Sequence, residues 1–306
     1  MKIIVMGTGG VGGYFGARLA NAGYDVSFIA RGEHLKAIKN NGLKIISELG
    51  DMIIHPAKAS DNPADFEIAD IVLFCVKSYD TESSSNLIKP IVGQNTAVIP
   101  FLNGIGHIEI MQKVLGKNSV IGGVAAISAL ISEPAVIQHN SAMQMLKFGE
   151  FNNIISPRIK AFQEACEKSG INNNIPENIE CDIWQKIIMI CTLAGANCIT
   201  RLPLGVCRTN PATRNFMKNL AEEAVEIAKA ENIILPDNQV EITMKQLDSL
   251  PEAMKASTLP ALEKGEKLEA SALNGAISIL GNKHKINTPA HKAVYAALSP
   301  HENGLN

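Results

Sequence analysis

The chain has 306 residues, of which 46% are hydrophobic and 19% are charged. This length suits two domains better than one hydrophobic core, and the apolar content excludes an intrinsically disordered chain. The 28 Lys and Arg residues nearly balance the 30 Asp and Glu residues, so the chain lacks the basic footprint of a nucleic-acid-binding protein.

The cysteines and the apolar segments indicate the compartment. The six cysteines are Cys75, Cys166, Cys181, Cys191, Cys198 and Cys207. None forms a Cys-x-x-Cys pair or has metal-ligand spacing to a histidine, so we predict reduced thiols and no metal site. Residues 187–199 contain Gly195 and Asn197 and are predicted to form a buried helix, not a membrane span. No secretory signal is recognisable, so we expect a cytoplasmic protein without a membrane partner.

The first thirty residues contain a nucleotide-binding pattern. Residues 2–6 are apolar and β-branched, as is typical of a strand buried on both faces. The predicted phosphate-binding loop follows at once and consists of Gly7, Thr8, Gly9, Gly10, Val11 and Gly12. Residues 13–22 are predicted to form a helix and residues 25–30 a second strand. A strand, Gly-x-Gly-x-x-Gly, a helix and a strand together form the context of the dinucleotide fingerprint.

The three glycines of the fingerprint have separate purposes. Gly7 permits a tight turn, Gly9 lets the backbone approach a pyrophosphate, and Gly12 lets the helix pack closely on the strand. The helix N-terminus offers unpaired N–H groups and a positive dipole end to the phosphates. The alternative is a glycine-rich turn that binds no ligand.

The end of the second strand indicates which dinucleotide is bound. NAD enzymes usually carry Asp or Glu there to accept from the ribose 2′-hydroxyl. This chain has Arg31, which cannot accept but can form paired hydrogen bonds to a 2′-phosphate. NADP(H) is therefore favoured over NAD(H). If Arg31 is only a solvated loop residue, Glu33 could bind a ribose.

Alternating strands and helices continue to about residue 180. We predict strands at residues 71–76, 96–102, 118–130, 135–140 and 144–149, and helices at residues 81–91 and 156–169. Lys77 and Asn103 directly follow two of these strands. Because ligands bind beyond the carboxyl ends of parallel strands, both are candidate site residues. The alternative is that each is only a polar residue that ends a strand.

The remainder of the chain is predicted to be helical. The helices are predicted at residues 184–200, 211–231, 239–247, 269–283 and from residue 289 onward, with Thr288 as the N-cap of the last. We place the boundary at residues 178–182, which gives domains 1–180 and 181–306. Lys186 begins an apolar run of its helix, so its amine either extends to water or is placed for chemistry.

Several motifs stand in a specific order along the chain. They are Gly7-x-Gly9-x-x-Gly12, Arg31-Gly32, Val76-Lys77, Leu102-Asn103-Gly104, Trp184-x-Lys186, Ser257, Glu269, Asn274-Gly275 and residues 287–295. In this order and spacing, the chain resembles the ketopantoate reductase (2-dehydropantoate 2-reductase) family over nearly its whole length. The resemblance implies an α/β fold: an N-terminal Rossmann-type doubly wound parallel sheet, and a C-terminal all-helical domain like that of 6-phosphogluconate dehydrogenase. It also implies an active site between the two domains.

The resemblance implies an activity and assigns roles to residues. The family reduces 2-dehydropantoate (ketopantoate) to pantoate with NADPH, in pantothenate biosynthesis. Lys186 matches the family's catalytic lysine, and Glu269 matches a glutamate near it. Lys77 and Asn103 match residues that line the nicotinamide and substrate site, and Ser257 matches a serine that contacts the substrate. From the residues alone, Glu269 could equally be a carboxylate on a helix surface and Ser257 a helix N-cap.

One departure from the family pattern concerns the substrate. Family members usually carry Asn at the fourth and eighth positions after the catalytic lysine, where this chain has Ile190 and Ala194. Asn197 shares that helix face but lies roughly 16 Å further along the axis, so it is a poor replacement. The predicted partner is therefore a small 2-oxo acid, either ketopantoate or a different, more apolar carbonyl compound.

Two further expectations concern enzymatic activity and assembly. A dinucleotide-sensing protein without catalysis is the non-enzymatic alternative, although sensing would need neither Lys186 nor Glu269. Helical second domains of this kind often pair, which makes a homodimer a candidate assembly.

Overall fold

A computed structural model describes residues 1–305 of the chain. The chain divides into two compact units, Met1–Leu102 with His107–Ile179, and Asn103–Gly106 with the residues from Glu180 on. The short segment Asn103–Gly106 thus groups with the second unit, although it lies far inside the first 180 residues of the sequence.

The first unit contains all of the named strands and five of the helices in the described part of the chain. The strands are β1 (Lys2–Met6), β2 (Asp25–Ile29), β3 (Leu43–Ser47), β4 (Met52–Ile54), β5 (Lys58–Ser60), β6 (Ala69–Phe74), β7 (Val92–Pro100), β8 (Gly122–Glu133), β9 (Val136–Gly149) and β10 (Asn172–Asn174). The helices are α1 (Gly10–Asn21), α2 (Gly32–Asn41), α3 (Thr81–Leu87), α4 (His107–Leu115) and α5 (Pro157–Lys168).

A parallel sheet forms the centre of this unit. Its strand order is β5-β2-β1-β6-β7, and every neighbouring pair is parallel. In β1, Ile3 and Val5 belong to one hydrophobic cluster, whereas Ile4 and Met6 belong to another. Alternate side chains of a strand point to opposite faces, so this strand is buried on both. The predicted α/β fold class with a doubly wound parallel sheet is confirmed.

A second sheet in this unit was not predicted. Its order is β10-β9-β3-β4, with β8 paired antiparallel to β9. The two strands predicted at residues 135–140 and 144–149 are one continuous strand, β9. β9 pairs in parallel with β3 and β10 and so joins parts of the unit that are distant in sequence.

The second unit is helical. Its helices are α6 (Ile179–Thr200), α7 (Leu204–Thr209), α8 (Pro211–Ala230), α9 (Gln239–Ser249), α10 (Thr258–Glu263), α11 (Asn274–His284) and α12 (Pro289–Leu298). α6 is long and apolar enough to cross a membrane, but 67% of its most apolar window is buried within the protein. It is therefore a packed core helix, in agreement with the prediction for residues 187–199.

One predicted helix start is wrong, and one predicted N-cap residue does not bond through its side chain. The helix predicted from Glu269 begins only at Asn274, because the Ala272 carbonyl accepts from Ile105 N–H (3.2 Å) instead of continuing a helical ladder. Thr288 precedes α12 as predicted, yet its hydroxyl makes no cap hydrogen bond. The carboxylate of Glu223 accepts from the first N–H groups of α12 instead.

A buried histidine in the second unit predicts a pH-dependent stability. His291 is fully buried; its Nδ1 accepts from Asn274 (3.1 Å) and its Nε2–H donates to the Leu220 carbonyl (2.9 Å). Burial lowers the pKa of His291 to about 4. The stability from the neutral ring is present above the unfolded pKa near 6.5 and is lost as the pH falls toward 4, at a cost of about 3 kcal/mol.

We expect urea unfolding of the wild-type protein to show this loss between pH 7 and pH 4. The His291→Gln variant keeps a donor and an acceptor but does not titrate, so its free energy of unfolding should fall less over the same range. Parallel pH profiles for the two proteins would show that His291 does not cause the effect.

Candidate functional site

The loop between β1 and α1 is fixed by its own backbone. Gly7 has φ +95°, and a Cβ there would lie 2.9 Å from the Cys75 carbonyl group, so only glycine fits. The N–H and the hydroxyl of Thr8 both donate to the Ile29 carbonyl, at 3.1 and 2.9 Å. Thr8 was predicted to bind the cofactor as part of this loop, and its hydroxyl is bonded to the end of β2.

Helix α1 lies between the two sheets of the first unit, and its glycines make this possible. On the side of the parallel sheet, a Cβ on Gly12 would overlap the Gly7 carbonyl oxygen and lie 2.8 Å from Val5 Cγ1. On the side of the second sheet, a Cβ on Gly10 would overlap the backbone of Ala129. Close packing therefore explains Gly12 as predicted, and it also explains Gly10, which was predicted only as a cofactor residue.

Gly9 differs from these neighbours. It precedes α1 in extended backbone at φ −86°, and a Cβ built on it would meet no atom within 4 Å. Neither packing nor backbone conformation requires a glycine here. The space above Gly9 faces the N-terminus of α1, where a bound pyrophosphate would need room.

A cavity of about 210 Å³ adjoins this loop. Its lining consists of Met6, Gly7, Thr8, Gly9, Ile29, Ala30, Arg31, His34, Val76 and Ile131. It therefore brings Arg31 together with the glycine loop, as the fingerprint predicts. Within the described chain, the lining does not include Lys77, which is exposed, or Glu33, whose carboxylate accepts from Lys36 at 2.7 Å.

His34 is a cavity residue that the sequence reading missed. Its Nδ1 accepts from Ala135 N–H (3.1 Å), so Nε2 carries the proton and donates to the Thr8 carbonyl (2.8 Å). Burial lowers the pKa of His34, which favours this neutral form. His34 thus joins α2, the glycine loop and the β8–β9 turn. It belongs to a helix that was not predicted.

Arg31 has an acidic neighbour that the sequence reading also missed. The Arg31 Nη2 lies 3.8 Å from Oδ2 of Asp80. Asp80 follows β6, and Arg31 follows β2, on the other side of β1 in the sheet. No local sequence pattern relates the two residues, because their approach depends on the strand order.

A larger cavity of the first unit lies elsewhere. It has about 810 Å³ and borders the start of β7 and the N-terminus of α5, and no predicted site residue lines it. Its most buried charges are Arg158 and Glu150, joined at 2.8 Å. Burial raises the pKa of Glu150, but hydrogen bonds from Arg158 and Ser156 outweigh this and lower it overall. The pair is structural.

In the second unit, Asn103 is connected to the turn that carries Glu269. Ile105 N–H donates to the Ala272 carbonyl, and a Cβ on Gly104 would lie 2.5 Å from that same oxygen. Glu269 begins the turn, is 9% exposed, and its carbonyl accepts from Ala272 N–H at 3.1 Å. The segment after β7 is therefore held against this turn.

Lys186 lies on α6, next to residues of a hydrophobic cluster in the second unit. The cluster consists of Trp184, Ile187, Ile188, Cys191, Ala221, Ala224, Val225, Ile227, Ala228, Leu273 and Ile277, with Ile105 and Ile190 partly buried against it. Each of the three predicted residues has a cluster residue close to it along the chain. Ile105 follows shortly after Asn103, Ile187 comes directly after Lys186, and Leu273 follows one turn after Glu269. One core thus supports the backbone segments of all three predicted residues. Lys186 itself is half-buried.

Ser257 is held in place through Asn197. The side chain of Asn197 is fully buried; its Oδ1 accepts from Ala256 N–H (2.9 Å) and its Nδ2 donates to the Leu202 carbonyl (2.8 Å). Ser257 precedes α10, is exposed, and makes no side-chain cap hydrogen bond. Its hydroxyl is thus not used to cap the helix, and the amide of Asn197 is used within the core.

Comparisons with known proteins match this arrangement. Residues 3–153 match the family model described as "Ketopantoate reductase PanE/ApbA", and residues 178–302 match "Ketopantoate reductase PanE/ApbA C terminal". An uncharacterized oxidoreductase, YkpB, of Bacillus subtilis (strain 168) is 32% identical over 99% of both chains. The chain belongs to the ketopantoate reductase family. It is an oxidoreductase related to 2-dehydropantoate 2-reductase.

Further relatives of this ketopantoate reductase family member agree. The 2-dehydropantoate 2-reductase of Mesorhizobium japonicum (strain LMG 29417 / CECT 9101 / MAFF 303099) is 28% identical over 97% of both chains. The crystal structure of a PanE/ApbA family ketopantoate reductase from Ralstonia eutropha JMP134 superposes with a TM-score of 0.89 at 28% identity, and covers 99% of this chain and 98% of that one.

Two positions on α6, at which the family resemblance implies Asn, carry apolar side chains in this chain. Ala194 is 1% exposed and packs in a cluster with Leu204, Met217 and Leu247. Ile190 is partly buried against the cluster that contains Leu273. Neither side chain can donate or accept a hydrogen bond, and both are integrated into hydrophobic packing.

Proposed function

We propose that this chain reduces a 2-oxo acid to the 2-hydroxy acid, with NADP(H) as the cofactor and 2-dehydropantoate as the first candidate substrate. The observation that carries the proposal is the open space at Gly9, beside a cavity lined by Arg31, in a chain of the ketopantoate reductase family.

The residues of the first unit fit a dinucleotide. Gly9 leaves room at the N-terminus of α1, whose free N–H groups and dipole favour a pyrophosphate. Arg31 is 64% exposed, so its guanidinium can turn toward a 2′-phosphate without the loss of buried contacts. Lys77 and Asn103 are proposed to contact the cofactor, and Asn103 also the substrate.

Residues of the second unit are proposed to carry out the proton chemistry. A nicotinamide dinucleotide, when bound, would supply the hydride for reduction of the substrate's carbonyl carbon. The ammonium group of Lys186 then stabilises the negative charge that develops on the carbonyl oxygen and donates a proton to it. Glu269 is proposed to bind substrate and to keep the Lys186 amine protonated between turnovers, and the Ser257 hydroxyl donates to the substrate carboxylate.

A second candidate substrate is a 2-oxo acid with an apolar tail. Ile190 favours it, because its side chain is only partly buried and stands where the family resemblance implies an amide that faces a hydroxylated substrate. Ala194 supplies no amide either, and it is buried in the core. An apolar surface gains from contact with methyl groups, but it leaves a substrate hydroxyl without its hydrogen bonds to water.

A matched pair of substrates distinguishes the two candidates. 2-Dehydropantoate and 3,3-dimethyl-2-oxobutanoate differ by a single hydroxyl group. If the site forms hydrogen bonds to that hydroxyl, kcat/KM should be about 10⁴-fold higher for 2-dehydropantoate. The dimethyl compound would leave the buried hydrogen-bonding groups of the site without a partner. If Ile190 and Ala194 select an apolar tail, kcat/KM for the two acids should be equal or favour the dimethyl compound.

The Ile190→Asn variant tests the residue that we hold responsible. It should move the ratio toward 2-dehydropantoate by about tenfold, the value of one additional hydrogen bond. An unchanged ratio, with kcat/KM measurable for both acids, would contradict selection at Ile190. Wild-type protein that binds NADPH and turns over neither acid would support the non-enzymatic sensor instead.

A further inference from the structure

Asp80 stands at a helix start but does not cap the helix. It precedes Thr81, the first residue of α3, where an Asp side chain normally accepts from an N–H of the first turn. Its carboxylate makes no such hydrogen bond. Instead, Oδ2 of Asp80 lies 3.8 Å from Nη2 of Arg31, and among residues 1–305 it is the only carboxylate within ion-pair distance of Arg31.

Fold stability does not account for this pair. The side chains of Arg31 and Asp80 are 64% and 38% exposed, and their separation is longer than a hydrogen bond. Exposed ion pairs of this kind contribute little to folding, because water screens them and two flexible side chains must be ordered. The placement of Asp80 is therefore better explained by what it does to a ligand of Arg31.

The Asp80 carboxylate changes the electrostatics around Arg31, which lines the cavity. A 2′-phosphate held by Arg31 would come close to Asp80, and the two negative charges would repel each other. A ribose 2′-hydroxyl carries no charge and can donate to a carboxylate, as it does to the acidic residue of NAD enzymes. Arg31 and Asp80 thus together offer a guanidinium suited to NADP(H) and a carboxylate suited to NAD(H).

We propose that Asp80 is a specificity-determining residue that lowers the preference for NADP(H) and allows NAD(H) to bind as well. This inference rests on the proposed function, in which the cavity beside Gly9 binds a nicotinamide dinucleotide. In this proposal the acidic partner of the ribose follows β6, whereas in NAD enzymes it usually ends the second strand of the fold.

The test is the Kd of NADPH and of NADH, measured by the fluorescence of the reduced nicotinamide, for wild-type protein and the Asp80→Asn variant. Asn caps a helix as well as Asp does, so the variant should fold normally, and its melting temperature verifies this. We expect NADPH to bind about tenfold more tightly, because the repulsion of its 2′-phosphate is removed. NADH should bind more weakly, because the charged acceptor of the ribose hydroxyl becomes a neutral and weaker amide oxygen.

Glu82→Gln is the matched control. Glu82 is exposed in the first turn of α3 and, within the described chain, forms no ion pair with Arg31, so its loss removes the same charge two residues away. This variant should leave the ratio of the two Kd values unchanged. If Glu82→Gln and Asp80→Asn shifted the ratio of the two Kd values equally, the effect would come from net charge alone and the proposal would be overturned.

The remaining outcomes separate this inference from the proposed function. If Asp80→Asn changes both Kd values by the same factor, or changes neither, while binding persists, Asp80 does not discriminate and the inference fails alone. If wild-type protein binds neither dinucleotide, the proposed function fails and the inference fails with it.

Discussion

The Lys186→Ala variant should reduce 2-oxo acids with a kcat about 10²- to 10⁴-fold below that of the wild type, the range for loss of a positioned proton donor. The Kd of NADPH should change little, because the residues proposed to bind its phosphates belong to the first unit. Steady-state kinetics and a fluorescence titration of NADPH measure the two quantities separately.

Two further variants sharpen this result. Lys245→Ala removes an exposed lysine of α9 and should leave kcat unchanged. Lys186→Arg keeps the positive charge but donates a proton poorly, since the pKa of a guanidinium is much higher than that of an ammonium group. It should therefore retain substrate binding and lose most of kcat. A wild-type kcat in Lys186→Ala would contradict the role of this lysine.

The Gly9→Ala variant should fold like the wild type and bind NADPH about 100-fold more weakly. Its Cβ would meet no protein atom within 4 Å, so the melting temperature should not change. The same methyl group would occupy the space in which the backbone approaches a pyrophosphate.

Gly12→Ala is the contrasting variant. Its Cβ would overlap the Gly7 carbonyl oxygen and crowd Val5, so we expect a loss of about 3 kcal/mol in the free energy of unfolding. Gly9→Ala and Gly12→Ala thus separate a ligand-binding glycine from a packing glycine. Normal NADPH affinity in Gly9→Ala would show that the space above Gly9 is not the phosphate site.

Local patterns were sufficient to predict four of the five strands of the parallel sheet and the main helices, but not the three-residue strand β5. The apolar run of β1, the glycines and α1 are contiguous, and each element shows its own periodicity. The second sheet lacked such a signal. β4 and β10 have three residues each, and β9 is stabilised by pairing with β3 and β10 across long stretches of chain. Such pairings are a property of the folded chain and are absent from any local pattern.

The residues of the candidate site were likewise predictable only where a local sequence pattern marks them. Arg31 could be identified because the fingerprint fixes its distance from the glycine loop. His34 and Asp80 could not, because each reaches the loop or Arg31 through tertiary contacts. Gly10 shows a different gap: its place in the motif suggests a ligand contact, and only the structure shows that the backbone of Ala129 leaves no room for a side chain there.

Isotope labelling follows the hydride itself and tests directly whether this chain reduces a carbonyl group with a nicotinamide. Wild-type protein is incubated with NADPH that carries deuterium at the nicotinamide C4 position, together with 2-dehydropantoate or 3,3-dimethyl-2-oxobutanoate, and the acids are analysed by mass spectrometry. We predict a 2-hydroxy acid with deuterium on C2, formed by the wild type and nearly absent with Lys186→Ala. No 2-hydroxy acid from either substrate, or product without deuterium from either labelled face of the nicotinamide, would contradict nicotinamide-dependent carbonyl reduction by this chain.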